Sequence, residues 1–421
     1  MIFATSFTSA PIFPYGAKFQ DMKMGVFIFL VLLFSISQFL FLGAIKRTAL
    51  NGGKGLKQFH IRTLHKVITY SQYVLIGILV TTVIQVTTNS VYNTTLLIAA
   101  IFITHFLAIG ILIELAARFL NWFRFNHNFA ILALTISIVS IAINLIFMLT
   151  YYTDSIRNMP IQISSFRGTV TPSGSSPSVF QSGYIVSYII SFILTWGATI
   201  FLLHNYSHKF GKIKFWLVLV IPLIYFLLQF QPQVLNWFLP FRFSNPILFG
   251  FVYTLLFSAV KPMGGILAGI AFWIIARSIK QKAVRQYLLI SACGIMLVFA
   301  SNQASRLVYP PFPPIELGAI CYLGLASYLI LVGIYSSALS VANDVELRRS
   351  IRKSVEQQSN LLGNIGTAQL ENQIQKTVLN KTRDLYLKLG DETGVQSSLE
   401  ERDLQNYIQM AINETKKTNS K

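Results

Sequence analysis

A lysine inside an apolar run is the residue of this sequence best placed to do chemistry. The stretch "SAVKPMGGIL", residues 258–267, sets Lys261 and Pro262 at the centre of a segment where no acidic residue is expected at the same depth. An ammonium at the bilayer centre costs about 2.5–3.5 kcal/mol on insertion scales, so it must be paired, neutral or beside water. Three chemistries meet that condition. Lys261 binds an anionic ligand or lines a wet cavity; or it is a neutral amine held by carbonyls loosened at a proline kink, a structural role; or it forms a Schiff base, as in retinal proteins. Phe257 speaks against the last, because microbial rhodopsins carry an aspartate four residues before the lysine.

Pro262 lacks a backbone donor and crowds the carbonyl of Ser258, whose hydroxyl is placed to satisfy the loosened turn. At helical spacing Thr254, Ser258, Lys261, Gly265, Ala268 and Phe272 share one stripe. Small and polar residues on a stripe permit close packing in lipid, so Lys261 is expected to face the bundle. Thr254, Ser258, Lys261 and Pro262 are therefore candidate ligand residues.

His105 and Glu114 complete that candidate set. Glu114 and Arg118 are four apart and predict an ion pair at one membrane interface. His105 lies on the opposite side of the same helix; it is either satisfied by a neighbour's carbonyl or hydroxyl, or part of a proton or ligand path. His204 and His208, in "HNYSH", have a spacing that suits one metal, but no carboxylate or cysteine at fixed spacing completes a set, so no metal site is assigned. HExxH, GxSxG, Walker A, GxGxxG and CxxC motifs are absent from the sequence, and no cofactor is implied. The expectation is a non-catalytic protein. Cys293 and Cys321 are expected near opposite ends of neighbouring segments, too far apart to bridge.

These residues must be positioned by membrane helices. The chain has 421 residues, 53% of them hydrophobic, in runs too long and uniform for the faces of soluble helices. Nine segments have the length or character of crossings: Met24 to Ile45, Val67 to Val86, Leu96 to Ala116, Asn128 to Tyr151, Tyr184 to Leu203, Phe215 to Phe230, Ile247 to Ala276, Tyr287 to Ala304 and Ile315 to Leu339. The seventh is expected as one tilted helix kinked at Pro262. Residues 1–23 precede the bundle as an external segment. They lack an early basic region, so the first apolar run is expected to remain as a helix.

Net charge is +19, but the excess is segregated. Residues 1–339 hold 22 Lys and Arg against four acids, and residues 340–421 hold twelve against eleven. Connections after the odd-numbered segments carry fifteen basic residues and those after the even-numbered ones carry four. This bias predicts an external N-terminus, a cytoplasmic C-terminus and a plasma-membrane location, with lipid rather than nucleic acid meeting the charge. It also opposes a re-entrant hairpin at "KPMGG". On the outer side, residues 153–183 form a Ser, Gly and Pro-rich loop, read as a tether or a lid. "RLVYPPFPPIE" reads as a stiff spacer.

The tail, residues 340–421, is expected to begin as a rod. Tyr335 to Leu362 contains no proline or glycine, which predicts one helix from Ile315 to Leu362 projecting roughly 30 Å into the cytoplasm. Arg348, Arg349, Arg352 and Lys353 are candidate partners for anionic lipid headgroups, or ordinary positive-inside anchors. Gly363 and Gly366 are expected to break the rod before helices at about 367–389 and 398–417, the last opened by a Ser397 and Glu400 capping box. The discontinuous apolar stripe Val341, Val345, Ile351, Val355, Leu362 and Ile365 could pair with another subunit, making a homo-oligomer, and the short helices could dock a cytoplasmic protein.

"YSSALSVANDVELRRSIRKS", "LLGNIGTAQLE" and "TGVQSSLEERDLQNYI" resemble the ends of a multi-copy family of archaeal polytopic membrane proteins. The resemblance covers the last helix and tail better than the first two helices. It implies a reusable output or docking end and carries over no catalytic residue. Three functions are then expected in order: a sensor or signal transducer coupling the bundle to the tail; a transporter or channel built around Lys261; and a scaffold subunit of a membrane complex.

Overall fold

The computed structural model describes residues 17–47, 56–156, 162–164, 179–204, 211–228, 230, 260, 262–279, 281–302, 312–344 and 360–393. They form α1 (Ala17–Ile45), α2 (Leu56–Asn89), β1 (Val91–Asn93), α3 (Thr94–Phe125), α4 (Phe129–Ile156), β2 (Gln162–Ser164), α5 (Val179–Leu203), α6 (Lys212–Leu228), α7 (Met263–Ser278), α8 (Lys282–Ser301), α9 (Glu316–Ile320), α10 (Tyr322–Asn343) and α11 (Asn360–Thr393). Each expected apolar segment carries helix. Seven of the described helical stretches are long and apolar enough to cross a membrane, and two shorter apolar helices, Ile213–Leu228 and Met263–Ser278, accompany them. The outward face of α1 carries Phe29, Leu32, Ile36 and Leu40, all exposed. An exposed apolar stripe at helical spacing is solvated by hydrocarbon, and helices satisfy their backbone internally there. The molecule is an all-α, multi-pass membrane bundle.

At the centre of the bundle stands the last membrane helix. In the stretch Glu316–Asn343, 94% of the most apolar window is buried, whereas the corresponding figure for α2 is 28%. α10 packs against α8, α3, α2 and α1, with α4, α5 and α7 completing the bundle around the α3 and α8 sides. Close approach of α8 and α10 rests on glycines. A Cβ on Gly294 would lie 2.8 Å from the Ala326 carbonyl oxygen, and one on Gly333 would lie 2.5 Å from that of Tyr287. Without a hydrophobic drive between helices in lipid, such small residues let backbones gain dispersion contacts.

One end of the bundle is closed by a two-stranded ribbon. β1 pairs antiparallel with β2, Tyr92 opposite Ile163, and the Tyr92 ring stacks on Phe312 at 6.1 Å. This joins the connections after α2, α4 and α8 at one end, as the charge alternation requires. The strand in residues 153–183 was not expected, because three residues are too few to show a period. At the opposite end lie the C-termini of α3 and α10, the N-terminus of α8, and α11.

Three expected helices differ. α7 begins at Met263, with Pro262 as its N-cap in helical geometry (φ −75°, ψ −6°), so among the described residues the proline stands at a helix start, and the preceding half of the expected segment lies outside them. That placement suits a residue without a backbone donor, since first-turn N–H groups have no partner within the helix. The rod is not formed across Asp344: α10 ends at Asn343 and Asp344 is extended (φ −102°, ψ 109°). Asn and Asp compete with helical hydrogen bonding, and here Asp344 Oδ2 accepts from Gln281 Nε2 at 3.2 Å. α11 then runs as one 34-residue helix through Gly363, Gly366 and Gly390. Its first turns bury Leu361, Leu362, Ile365 and Ala368 against the bundle. That burial offsets the ~1 kcal/mol each helical glycine costs. The helix expected at 398–417 lies outside the described residues.

Candidate functional site

The junction between the bundle and α11 shows three close contacts, beside a fourth that ties a helix it rests on to α8. Trp122, fully buried near the end of α3, donates from Nε1 to Gln369 Oε1 at 2.9 Å. Asn126, the C-cap of α3, reaches the Asn364 carbonyl at 3.5 Å. Gly366 meets Val341 so closely that an added Cβ would clash with the valine side chain. Asp344 and Gln281 tie the end of α10 to the start of α8. α11 therefore touches the central helix and α3 at once, and a shift of α10 along its axis changes the surface on which α11 rests. The amphipathic pattern that allows this, Leu361, Leu362, Ile365 and Ala368, is visible in the sequence. Its partner face is not.

A second polar group lies deep in the bundle. Asn144, midway along α4, donates from Nδ2 to Ser187 Oγ at 3.0 Å and to the Tyr184 carbonyl at 3.3 Å, and its Oδ1 accepts from Asn302 Nδ2 at 2.6 Å. Asn302 immediately follows α8, so α8 ends at the mid-depth of α4. Packing of Gly264 on Phe192 and Phe299 puts the start of α7 at similar depth. Tyr151, Tyr184 and Tyr188 stack in series beside this network, with ring centroids 6.1 and 6.2 Å apart. The arrangement joins α4, α5 and α8 by hydrogen bonds where hydrocarbon offers none. Sequence reading missed all of it, since isolated Asn and Tyr residues on apolar helices carry no spacing signal.

Of the residues singled out from sequence, His105 is buried on α3. Its Nδ1 donates to the Ile101 carbonyl at 2.8 Å, and its ring lies edge-on to Tyr152 at 5.8 Å. A carbonyl within its own helix thus satisfies the imidazole. Glu114 pairs with Arg118 at 2.6 Å, and the guanidinium lies 4.2 Å over the Tyr335 ring of α10. His105 and Glu114 are not brought together. Pro262 is buried at the start of α7 and His204 is exposed at the end of α5. Thr254, Ser258, Lys261, His208, Arg348, Arg349, Arg352 and Lys353 lie outside the described residues. Among the described residues no group of three or more His, Cys, Asp or Glu is placed to hold a metal.

Fold and junction together define a class: a polytopic membrane helix bundle with a helical tail docked on one end. Compared with protein-family models, curated proteins and solved structures, the chain matches none of them.

Proposed function

We propose that the protein is a sensor or signal transducer of the cell membrane, in which a ligand or lipid met by the bundle shifts α10, and α10 moves α11. The reading takes nine crossings, the N-terminus outside and the tail in the cytoplasm. The observation that carries it is the continuity from the most buried helix of the bundle, α10, to the contact of Val341 with Gly366. A helix gripped on all sides transmits displacement, and a tail seated on its end reads it. The output is the release or sliding of α11, and a cytoplasmic protein is its partner. In this proposal the tail belongs, as its sequence resemblance implies, to a multi-copy archaeal family and serves as a reusable output end. In a background of Cys293→Ser and Cys321→Ala, spin labels at Phe201 and Ile374, both exposed, measure the seat of α11. Candidate lipids and organic acids should change that distance. A fixed distance across all of them, together with an unchanged distance in Gly366→Ala, would sink the transducer.

A second reading, transport, is favoured by α7, which begins inside the depth of the bundle directly after Pro262. Helix N-termini within the membrane occur at transport sites. Flux into liposomes that survives deletion of residues 344–421 would favour transport. Loss of that flux in Lys261→Met would assign the lysine to the path.

A further inference from the structure

Between α3, α4, α5, α7, α8 and α10 lies a cavity of ≈ 40 Å³. Each helix lends it an apolar wall: Leu112, Ile141, Ala198, Phe272, Phe299 and Ile334, all buried. Its hydroxyls are already committed. Thr195 Oγ1 donates to the Ser191 carbonyl at 2.7 Å, so the 2.8 Å contact between Ser137 Oγ and Thr195 Oγ1 takes its hydrogen from Ser137. Thr199 Oγ1 donates to the Thr195 carbonyl at 2.8 Å. No hydroxyl hydrogen remains to be offered inward.

Size and polarity then select the occupant. A water needs about 10–15 Å³ on the same measure and two to four polar partners, and apolar cavities stay dry and take apolar guests. By that scale this space suits a molecule of roughly two to four heavy atoms. Ile295, partly exposed on α8, also lines it.

We propose that this cavity is a binding site for a small, uncharged apolar molecule that enters from the hydrocarbon. Ile330 and Ile334 bring the occupant against α10, so any link from occupancy to α11 rests on the transducer reading, while occupancy itself does not.

Xenon is the probe, read by methyl NMR of isoleucine-labelled protein in nanodiscs. Saturable shifts are expected at Ile138, Ile141, Ile330 and Ile334, against linear partitioning shifts at the exposed Ile193 and Ile270. Ala198→Val fills the space and should abolish the saturable component; Ile334→Ala enlarges it and should strengthen that component, which keeps the test alive if the valine variant fails to fold. Linear shifts at every isoleucine, or saturable shifts unaltered in both variants, overturn the site. The spin-label distance between Phe201 and Ile374 is measured with and without xenon on the same samples. Saturable methyl shifts with an unchanged distance retain the site and count against the transducer alone.

Discussion

Asn302 sits at the end of α8 with its amide donating to Asn144, and its own Oδ1 is buried without a hydrogen-bond partner among the described residues. Removing Asn144 would leave the Asn302 amide without its acceptor, while Ser187 Oγ keeps its bond to the Tyr184 carbonyl at 3.0 Å. Asn144→Leu is expected to destabilise the solubilised protein by about 0.5–2 kcal/mol, the range for interhelical hydrogen bonds in membranes. Asn302→Leu added to it should cost less than the sum of the single changes, because the second substitution removes an already orphaned amide. Unfolding in graded denaturing detergent measures the cycle, and strict additivity would mean the two amides do not cooperate. At this scale the sequence was partly legible. His105 was expected to be satisfied by a neighbour's carbonyl or hydroxyl and instead uses a carbonyl of its own helix, while the Glu114 to Arg118 pair follows from spacing alone. Trp122 and Gln369, 247 positions apart, could not be paired from any local pattern.

Helices packed through glycine make the element scale unforgiving. Gly333→Ala sets a methyl against the Tyr287 carbonyl and the Ser291 side chain, both on α8. Backbone cannot rotate away as a side chain can, so the substitution should cost about 1–3 kcal/mol and lower the melting temperature. Gly366→Ala acts at a separate place. Its new methyl meets Val341, a side chain that can be cut back, so the tail should loosen in the single variant and reseat in Gly366→Ala with Val341→Ala. Hydrogen exchange over residues 361–371 reports it: faster in the first, restored in the second. Gly366 looks like a breaker when the helix is imagined in water, and it becomes a packing residue once α10 lies alongside.

For the whole molecule the testable statement is orientation. The ribbon end and the α11 end are opposite, and Arg124, Arg277, Lys282 and Arg285, among the described basic residues, belong to the connections at the α11 end, whereas Lys23 lies at the ribbon end. With the native cysteines replaced, a cysteine at Gln162, which is exposed, should react with an impermeant maleimide from outside intact cells. One at Ile374 should react only after permeabilisation. The reverse pattern would invert the topology and place α11 outside.

What the amino-acid sequence determined by itself was the solvent of each segment. Long apolar runs must lie in hydrocarbon, and their helices must close their own hydrogen bonds; both depend on local composition. The course of the tail was decided only in three dimensions. Asp344 leaves helical geometry to meet Gln281, and α11 returns to the bundle because the ends of α3 and α10 together offer Trp122 and Val341 at the spacing of Gln369 and Gly366. The central cavity is likewise a property of six helices whose side chains do not quite fill the space between them. No single stretch of sequence encodes a complementarity that exists only when distant surfaces meet.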